Sequence, residues 1–408
     1  MLQFLFFVLL ALALAGDARI FLFVANTIVF GAHREEKPRF QWLLKAVPLL
    51  LIFLTLLFWP LHRWIAALAE NAMVERITPD RFEEIRWSLI LARLGAAWLL
   101  IAAAIGLYWI VDRFRILLRG EQAVPGTRTH DSEVVRLRKA HMPVAALRRL
   151  GAHNDLYDLE VTKHEVFIGR LPAAFDGYRV AFLTDTHVAS FVRLDFYREI
   201  VARTMAFAPD LILLGGDFVH WEKDIPLLPG TILHGLHAPD GIYAVPGNHD
   251  YWANIDGVIA VMTAAGVRFL VNRSLAIVRE GVSGDERIWL VGIDEVYRGV
   301  PDLDAAFGGT RNDEVRLGVS HHPDIVDRLE GRRLDLLVCG HTHGGQIRFP
   351  FFGSVVVPSV HEARYASGFH RVRDVLLYVS RGIGAIPPIR ILCKPEVATY
   401  TLRRAPDR

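Results

Sequence analysis

Gly340-His341-Thr342-His343-Gly344-Gly345 is the stretch of this 408-residue chain that says most about its fold, because it ends a series of five short motifs rich in metal-binding side chains. The four earlier motifs are, in chain order, Asp185-Thr186-His187, Gly215-Gly216-Asp217, Gly247-Asn248-His249-Asp250 and His321-His322-Pro323. Each motif follows an apolar run of the kind that forms a buried strand. Any one of them is common by chance, whereas all five in this order indicate a metal site at the ends of sheet strands.

The residue types in these motifs suit divalent transition metals. Asp185 and His187 are two residues apart, and alternate side chains of a strand point to the same face, so a carboxylate and an imidazole can converge on one cation. Asp217 ends the apolar run 211–214, and Asn248 offers a neutral carbonyl oxygen. Three imidazoles complete the set: His321, His341 and His343. Mixed oxygen and nitrogen ligands without a thiolate favour Mn, Fe, Zn or Co.

The order of the motifs resembles that of the calcineurin-like metallophosphoesterase superfamily over residues 160–402. The resemblance implies an α/β fold, a four-layer α/β/β/α sandwich, that holds two divalent metal ions. It implies that one ion is bound by Asp185, His187, Asp217 and His343, and the other by Asp217, Asn248, His321 and His341, with Asp217 bridging. It also implies that His249 stabilises the transition state or protonates the leaving oxygen, a task that suits the pKa of histidine.

A later segment, 378–396, resembles the membrane-anchored bacterial branch of the superfamily. Within it, Arg381 is a candidate for binding substrate as a bidentate donor to a phosphate oxygen. A structural salt bridge is the alternative for this residue. Histidines outside the motifs, such as His220, are expected to have solvated or structural roles.

The composition separates a membrane part from a globular part. Hydrophobic residues make up 52% of the chain, and the excess lies in the N-terminal region. Uncharged runs there predict three membrane spans, roughly 2–31, 46–66 and 88–111, or four if Asp17-Ala18-Arg19 forms a turn. A cleaved signal peptide is disfavoured, because the first run lacks a basic start and further spanning candidates follow it.

Basic residues in the flanks predict the orientation. The segment 112–150 has nine Lys and Arg residues against four acidic ones, and basic flanks mark the cytoplasmic side. We therefore expect a multi-pass protein of the inner (cytoplasmic) membrane whose catalytic part faces the cytoplasm. The expected organisation is transmembrane helices over 1–111, a basic connector over 112–158 and a phosphoesterase domain over 159–408.

The globular part alternates short β-rich runs with turns and helices, which is typical of an α/β protein. The clearest predicted strands are 179–184, 211–214, 242–245, 289–293, 315–319, 335–339 and 376–380. The predicted helices are 193–207, 254–265 and 323–331. Cys339 and Cys393 form no CxxC pair and are expected to be buried core thiols.

These observations predict a membrane-anchored phosphohydrolase with two metal ions that cleaves a phosphoester or pyrophosphate bond. Tethering favours a lipid-linked substrate by proximity. The resemblance to relatives with this membrane-anchored layout implies UDP-2,3-diacylglucosamine as the specific substrate, which would place the protein in lipid metabolism with membrane lipids as partners. The alternatives are a phosphodiesterase acting on nucleotides or phospholipids, and a non-catalytic metal-binding scaffold. The chain has 46 basic and 44 acidic residues, so its total charge argues neither for nor against a nucleic-acid partner. Residues 165–402 contain no basic stripe with interleaved aromatic residues, so no nucleic-acid partner is expected. The identity of the metals and the oligomeric state stay open at this stage.

Overall fold

The structure is a computed structural model that describes residues 8–20, 79–119, 124–137, 153–281, 284–329, 331–350, 352–354 and 356–405. The chain divides into two compact units. One consists of residues 1–120 with 351–353, and the other of 121–350 with 354–408. The domain boundaries drawn from the sequence stay predictions.

The first unit contains helix α1 (8–20) and helix α2 (Pro79–Arg119). The two helices approach closely, since a Cβ atom on Gly16 would lie 1.8 Å from the carbonyl oxygen of Ala102. Within α2, Arg93–Asp112 is the one stretch of the described residues that is long and apolar enough to cross a membrane, with a mean hydropathy of 2.1. It overlaps the predicted span 88–111. The predicted span 46–66 lies outside the described residues, and 2–31 is described only in part.

The second unit is built on two sheets. The larger has the strand order β1-β3-β16-β4-β5-β6-β7, with β2 also paired to β3. Its strands are β1 (Thr127–Thr129), β2 (Glu133–Arg136), β3 (Asp158–Ile168), β4 (Arg179–Leu183), β5 (Leu211–Leu214), β6 (Ile242–Ala244), β7 (Val267–Phe269) and β16 (Glu396–Arg404). Strands β4 to β7 are mutually parallel.

The smaller sheet has the order β14-β15-β11-β10-β9-β8. Its strands are β8 (Arg273–Gly281), β9 (Gly284–Gly292), β10 (Arg316–Val319), β11 (Leu334–Cys339), β14 (Gly368–Val372) and β15 (Val375–Val379). The central pairs β9–β10, β10–β11 and β11–β15 are parallel. β12 (Arg348–Phe349) and β13 (Gly353–Ser354) form a separate two-stranded sheet.

Alternation along the strands sorts the apolar side chains into three cores. Val180 and Phe182 of β4 pack between the two sheets against residues such as Leu290 and Leu317. The intervening Ala181 and Leu183 face the opposite way, onto α3 (Leu194–Ala206) and α5 (Ile255–Ala264). Val291 and Leu337 of the smaller sheet likewise pack under α6 (Leu303–Ala306) and a 3-10 segment, Pro323–Arg328. The layers are therefore α/β/β/α, and the predicted sandwich is confirmed.

All seven predicted strands are present, and two of the three predicted helices match α3 and α5. The prediction of a helix over 323–331 was wrong. Pro323–Arg328 forms a short 3-10 helix instead. The His322 side chain caps its start and Pro323 occupies its first turn, and 3-10 helices are usually short. Part of the predicted connector also contributes structure, because β1 and β2 pair with β3.

Candidate metal centre

The five motifs meet because each one follows a strand at the same edge of its sheet. Asp185, Asp217 and Asn248 come shortly after β4, β5 and β6 of the larger sheet, and Asn248 begins α4 (Asn248–Ala253). His321 and His341 follow β10 and β11 of the smaller sheet. Parallel strands present their carboxyl ends on one side, which is where α/β proteins bind ligands. Packing the two sheets face to face brings the five loops together.

Asp185, His187 and His343 form one cluster of potential ligand atoms. The Nε2 atoms of His187 and His343 lie 3.2 Å apart, and the two rings stack. His343 Nε2 also lies 3.5 Å from Asp185 Oδ1. Three donor atoms thus converge from two loops that are far apart in the sequence.

Asp217, His321 and His341 form a second cluster. His321 Nε2 lies 3.3 Å from Asp217 Oδ2 and 3.1 Å from His341 Nδ1. The same Asp217 Oδ2 atom lies 3.7 Å from Nε2 of His187, which belongs to the first cluster. Asp217 therefore lies between the two clusters.

Backbone carbonyls fix the tautomers of two of these histidines. His321 Nδ1 lies 2.7 Å from the carbonyl oxygen of Gly215, and His343 Nδ1 lies 3.2 Å from that of Gly384. A carbonyl only accepts hydrogen bonds, so each Nδ1 carries a proton and each Nε2 is the nitrogen left to bind a cation. The fully buried guanidinium of Arg390 donates to the same Gly384 oxygen and so holds that loop.

The ligand loops are strained. Asp185, His187, Asp217, His341 and His343 all have positive φ angles, between 40° and 68°. Such a conformation costs of order 1–3 kcal/mol per non-glycine residue and persists where the surroundings enforce it. Gly247 is required for a related reason, because a Cβ atom there would lie 2.2 Å from Asp217 Oδ1.

The side chains fit divalent cations. Asn248 Oδ1 is buried and accepts no hydrogen bond from the described residues. A buried carbonyl oxygen without a donor is unfavourable unless a cation approaches it. The Nε2 atoms of His187 and His343, 3.2 Å apart, face each other and can share a cation in the same way. The oxygen and nitrogen donors present here match the set that the sequence predicts.

Burial and neighbouring charges shift the pKa values of His321 and His343. Burial alone lowers the pKa of His321, but the carboxylates of Asp217 and Asp185 outweigh burial and raise that pKa to about 10. Burial lowers the pKa of His343 to about 3, and the charge of Arg390 acts in the same direction. His343 is therefore neutral, the state in which imidazole binds metals. A proton on His321 and a divalent cation compete for the charge of Asp217.

His249 lies beside the clusters in a position suited to proton transfer. Its ring centroid is 4.8 Å from that of His187, and its backbone N–H donates to Asp217 Oδ1 at 2.8 Å. Its Nδ1 lies 3.0 Å from Nδ1 of His220. His220 was expected to be solvated or structural. Its position three residues after Asp217 is the signal that could have linked it to the site.

Asp250 is a second residue whose role the sequence did not reveal. It is fully buried, and its carboxylate accepts backbone N–H groups of Asp217, Phe218 and Gly247 at 2.8–2.9 Å. It therefore ties the loop that carries Asp217 to the loop that carries Asn248. A carboxylate in the first turn after the Asn-His pair was the available signal.

Arg381 contacts none of the clustered ligand atoms. Its guanidinium lies 2.9 Å from Glu160 Oε2 and 3.4 Å from Glu396 Oε1, and its side chain is 15% exposed. This is the salt-bridge geometry that was the alternative for Arg381. Phosphate binding by this residue stays a prediction.

Comparison with known proteins gives consistent matches. The family model of calcineurin-like phosphoesterases matches residues 178–345, which include all five motifs. The uncharacterized metallophosphoesterase YkuE of Bacillus subtilis is 28% identical over 254 residues, 60% of this chain and 86% of that protein. Phosphodiesterase YaeI of Escherichia coli is 30% identical over 229 residues, 55% of this chain and 82% of that protein. A transmembrane protein with metallophosphoesterase domain from Bos taurus is 26% identical, covering 65% of this chain and 62% of that protein.

Proposed function

Because this chain belongs to the calcineurin-like phosphoesterase family and is a metal-dependent hydrolase, we propose that it is a membrane-anchored phosphohydrolase whose site residues hold two divalent ions. The observation that carries the proposal is the position of Asp217 between two ligand clusters. The family uses a dinuclear metal centre, and the clusters fit one. The identity of the ions, whether Mn, Fe, Zn or Co, belongs to the proposal.

We assign the ligands as the motifs imply. Asp185, His187, Asp217 and His343 hold one ion, and Asp217, Asn248, His321 and His341 hold the other. When bound, two such ions activate water and neutralise charge at a phosphoryl group. The carbonyls of Gly215 and Gly384 keep His321 and His343 in the metal-binding tautomer.

His249 is the proposed general acid. It borders the clusters without belonging to the ligand sets, and its hydrogen bond to His220 fixes the plane of its ring. In hydrolysis, His249 gives a proton to the leaving oxygen as the bond between phosphorus and that oxygen breaks. Asp250 acts indirectly, by holding the loops of Asp217 and Asn248 at a fixed separation.

We propose a lipid-linked substrate, with UDP-2,3-diacylglucosamine as the specific candidate. Support comes from the apolar segment Arg93–Asp112 and from relatives in Bos taurus and Danio rerio whose names describe transmembrane proteins. The excess of basic residues over 112–150 supports a multi-pass inner-membrane protein whose site faces the cytoplasm. A phosphodiesterase acting on nucleotides or phospholipids is the second candidate, favoured by the name of the Escherichia coli relative.

The test uses the full chain in detergent micelles. Metal analysis and chelator-sensitive hydrolysis of bis(4-nitrophenyl) phosphate examine the two-metal centre, and fewer than two bound ions after growth with Mn and Zn contradicts it. UDP-2,3-diacylglucosamine in mixed micelles is then compared with soluble nucleotide diesters. A higher kcat/KM for the soluble esters rules out the lipid-linked substrate and leaves the phosphohydrolase intact. Cytosolic and periplasmic reporters fused to the C-terminus test the orientation, and a periplasmic signal reverses it.

A further inference from the structure

Two exposed tryptophans flank the pair formed by His220 and His249. The ring centroid of Trp252 lies 4.5 Å from that of His249, and the ring of Trp221 lies 4.2 Å from that of His220. Trp221 is 53% exposed and Trp252 is 45% exposed. The four rings form one continuous row, with the two histidines in the middle and an indole at each end.

The backbone holds this row in place. His249 and Trp252 are three residues apart on α4, so they share one helix face. Trp221 follows His220 directly, and the 3-10 segment Glu222–Leu227 begins after it. That segment is anchored to a neighbouring loop by the Ser190 backbone N–H, which donates to Asp224 Oδ1 at 3.2 Å. The backbone that carries each indole is therefore held by regular structure: Trp252 lies on α4, and Trp221 directly precedes the 3-10 segment.

A large indole that stays half exposed beside a reaction centre is unfavourable in water unless something covers it. Exposed apolar side chains are ordinary when they are scattered singly, but two indoles on one row of contacting rings make a patch. The guanidinium of Arg298 lies 5.0 Å from the Trp252 ring and covers one of its faces. A nucleotide base that stacked on this face of Trp252 would have to displace the guanidinium of Arg298. An aliphatic chain can instead pack along the edges of the indole.

We propose that Trp221 and Trp252 form the subsite for an apolar, chain-bearing leaving group. The inference rests on the proposed function, because it takes His249 as the acid that protonates the leaving oxygen. Whatever is bonded to that oxygen must lie beside the His249 ring, where Trp252 is in direct contact with that ring and Trp221 lies on the far side of His220. Apolar surface buried against them stabilises the bound substrate by about 25 cal/mol per Å².

Hydrolysis exchanges one bond to phosphorus for another. An oxygen of water forms a bond to phosphorus, and the bond between phosphorus and the leaving oxygen breaks with its electron pair going to that oxygen. The proton of His249 moves to the leaving oxygen, which departs as the hydroxyl of an alcohol or a phenol or, from a pyrophosphate, of a phosphate monoester. A proton released by the water restores His249. The departing product carries the apolar chain out along Trp252 and Trp221.

The experiment compares two phosphodiesters with leaving phenols of similar acidity, methyl phenyl phosphate and methyl 4-butylphenyl phosphate. The full chain in detergent should prefer the butyl compound in kcat/KM by roughly tenfold, since partial burial of four carbons contributes about that factor. Trp252→Ala should lower kcat/KM for the butyl compound more than for the phenyl compound and so remove most of this preference, and Trp221→Ala, which lies beyond His220, should remove a smaller part of it. Trp252→Phe should retain part of it. Val278→Ala, a change at a 48% exposed residue on β8, is the matched control and should leave the preference unchanged.

The phenyl compound serves as the internal control for folding and for the metal centre. A wild-type preference that persists in both alanine variants overturns the subsite. An equal loss on both substrates also overturns it, because the indoles would then only support the position of His249. If the wild-type protein turns over neither diester in a metal-dependent way, the proposed phosphohydrolase function itself fails and the subsite fails with it. Failure of the subsite alone leaves metal-dependent turnover of the phenyl compound intact.

Discussion

Replacement of Asp250 by asparagine should loosen the metal centre without touching a predicted ligand. Oδ2 of Asp250 accepts the N–H groups of Asp217 and Gly247, and Oδ1 accepts that of Phe218. An asparagine has almost the same shape but only one acceptor oxygen. If that oxygen keeps the two bonds at the Oδ2 position, the new amide NH₂ faces the Phe218 N–H.

The expected loss follows from this geometry. Two buried donors then face each other without an acceptor. Burial and the charge of Asp217 raise the pKa of Asp250 to about 7, so above that pH the substitution also removes the negative charge on which the remaining hydrogen bonds end. A buried unsatisfied donor costs about 1–3 kcal/mol, and a hydrogen bond to a charged group contributes about 1.5–3 kcal/mol, so a total near 3 kcal/mol is reasonable for Asp250→Asn. For a unit of this size that corresponds to a fall in Tm of about 5 °C. Because Asp250 sets the separation of the Asp217 and Asn248 loops, metal affinity should fall by about 10- to 100-fold.

Thermal unfolding and metal titration of the full chain in detergent measure both effects. Asp313→Asn is the matched control, since Asp313 is a 67% exposed carboxylate that pairs only with the nearby Arg311 at 2.8 Å. It should leave the Tm and the metal affinity of the wild type unchanged, because an exposed ion pair contributes little. If Asp250→Asn melts within about 2 °C of the wild type and binds metal equally well, Asp250 does not organise the loops and the argument is refuted.

Three further predictions concern the site and its support. Asp217→Asn should lower activity by several orders of magnitude and release metal, because it removes the carboxylate between the clusters; full metal content by elemental analysis would contradict this. His249→Ala should keep the metals and lower kcat by roughly 100- to 10,000-fold, with a smaller loss for nitrophenyl than for alkyl leaving groups, and an equal loss on both would exclude the acid role. Burial lowers the pKa of His164 from 6.5 to about 4, so the unfolded chain takes up a proton that the folded chain does not. Stability should therefore fall as the pH drops from about 6.5 to 4, and urea midpoints of His164→Gln should show a weaker decline over that range.

The sequence predicts the ligand loops well because each lies next to a local signal. A buried apolar strand followed by glycine or a polar ligand residue marks a strand end, and parallel strands share the edge at which they end. The convergence of Asp185 and His187 nevertheless has a different cause from the one that the sequence suggests. Strand β4 ends at Leu183, and both residues adopt left-handed conformations with φ of 53° and 40°. A tight loop, rather than strand alternation, turns their side chains toward the site.

Contacts between distant segments are what the sequence leaves open. The partner of His220 is 29 residues away, and Arg381 pairs with Glu160, which is 221 residues away. No periodicity or motif encodes such a pairing, because it depends on which strands become neighbours and on how the two sheets pack. The choice between phosphate binding and a salt bridge for Arg381 is of this kind. Only the neighbourhood of β3 and β16, which brings Glu160 and Glu396 to the same guanidinium, favours the salt bridge.

The site is costly to fold, and the architecture offsets that cost. Five ligand residues adopt left-handed backbone conformations, and the carboxylates of Asp185 and Asp217 are fully or almost fully buried. Each of these features disfavours the folded chain. The central core between the sheets and the outer helical cores provide the rigid surroundings that hold the loops in strained conformations. Metal binding adds further stabilisation, since the ions bind the folded arrangement and not the unfolded chain. The centre is thus pre-organised by its scaffold, and the position of Asp217 between two clusters depends on both sheets at once.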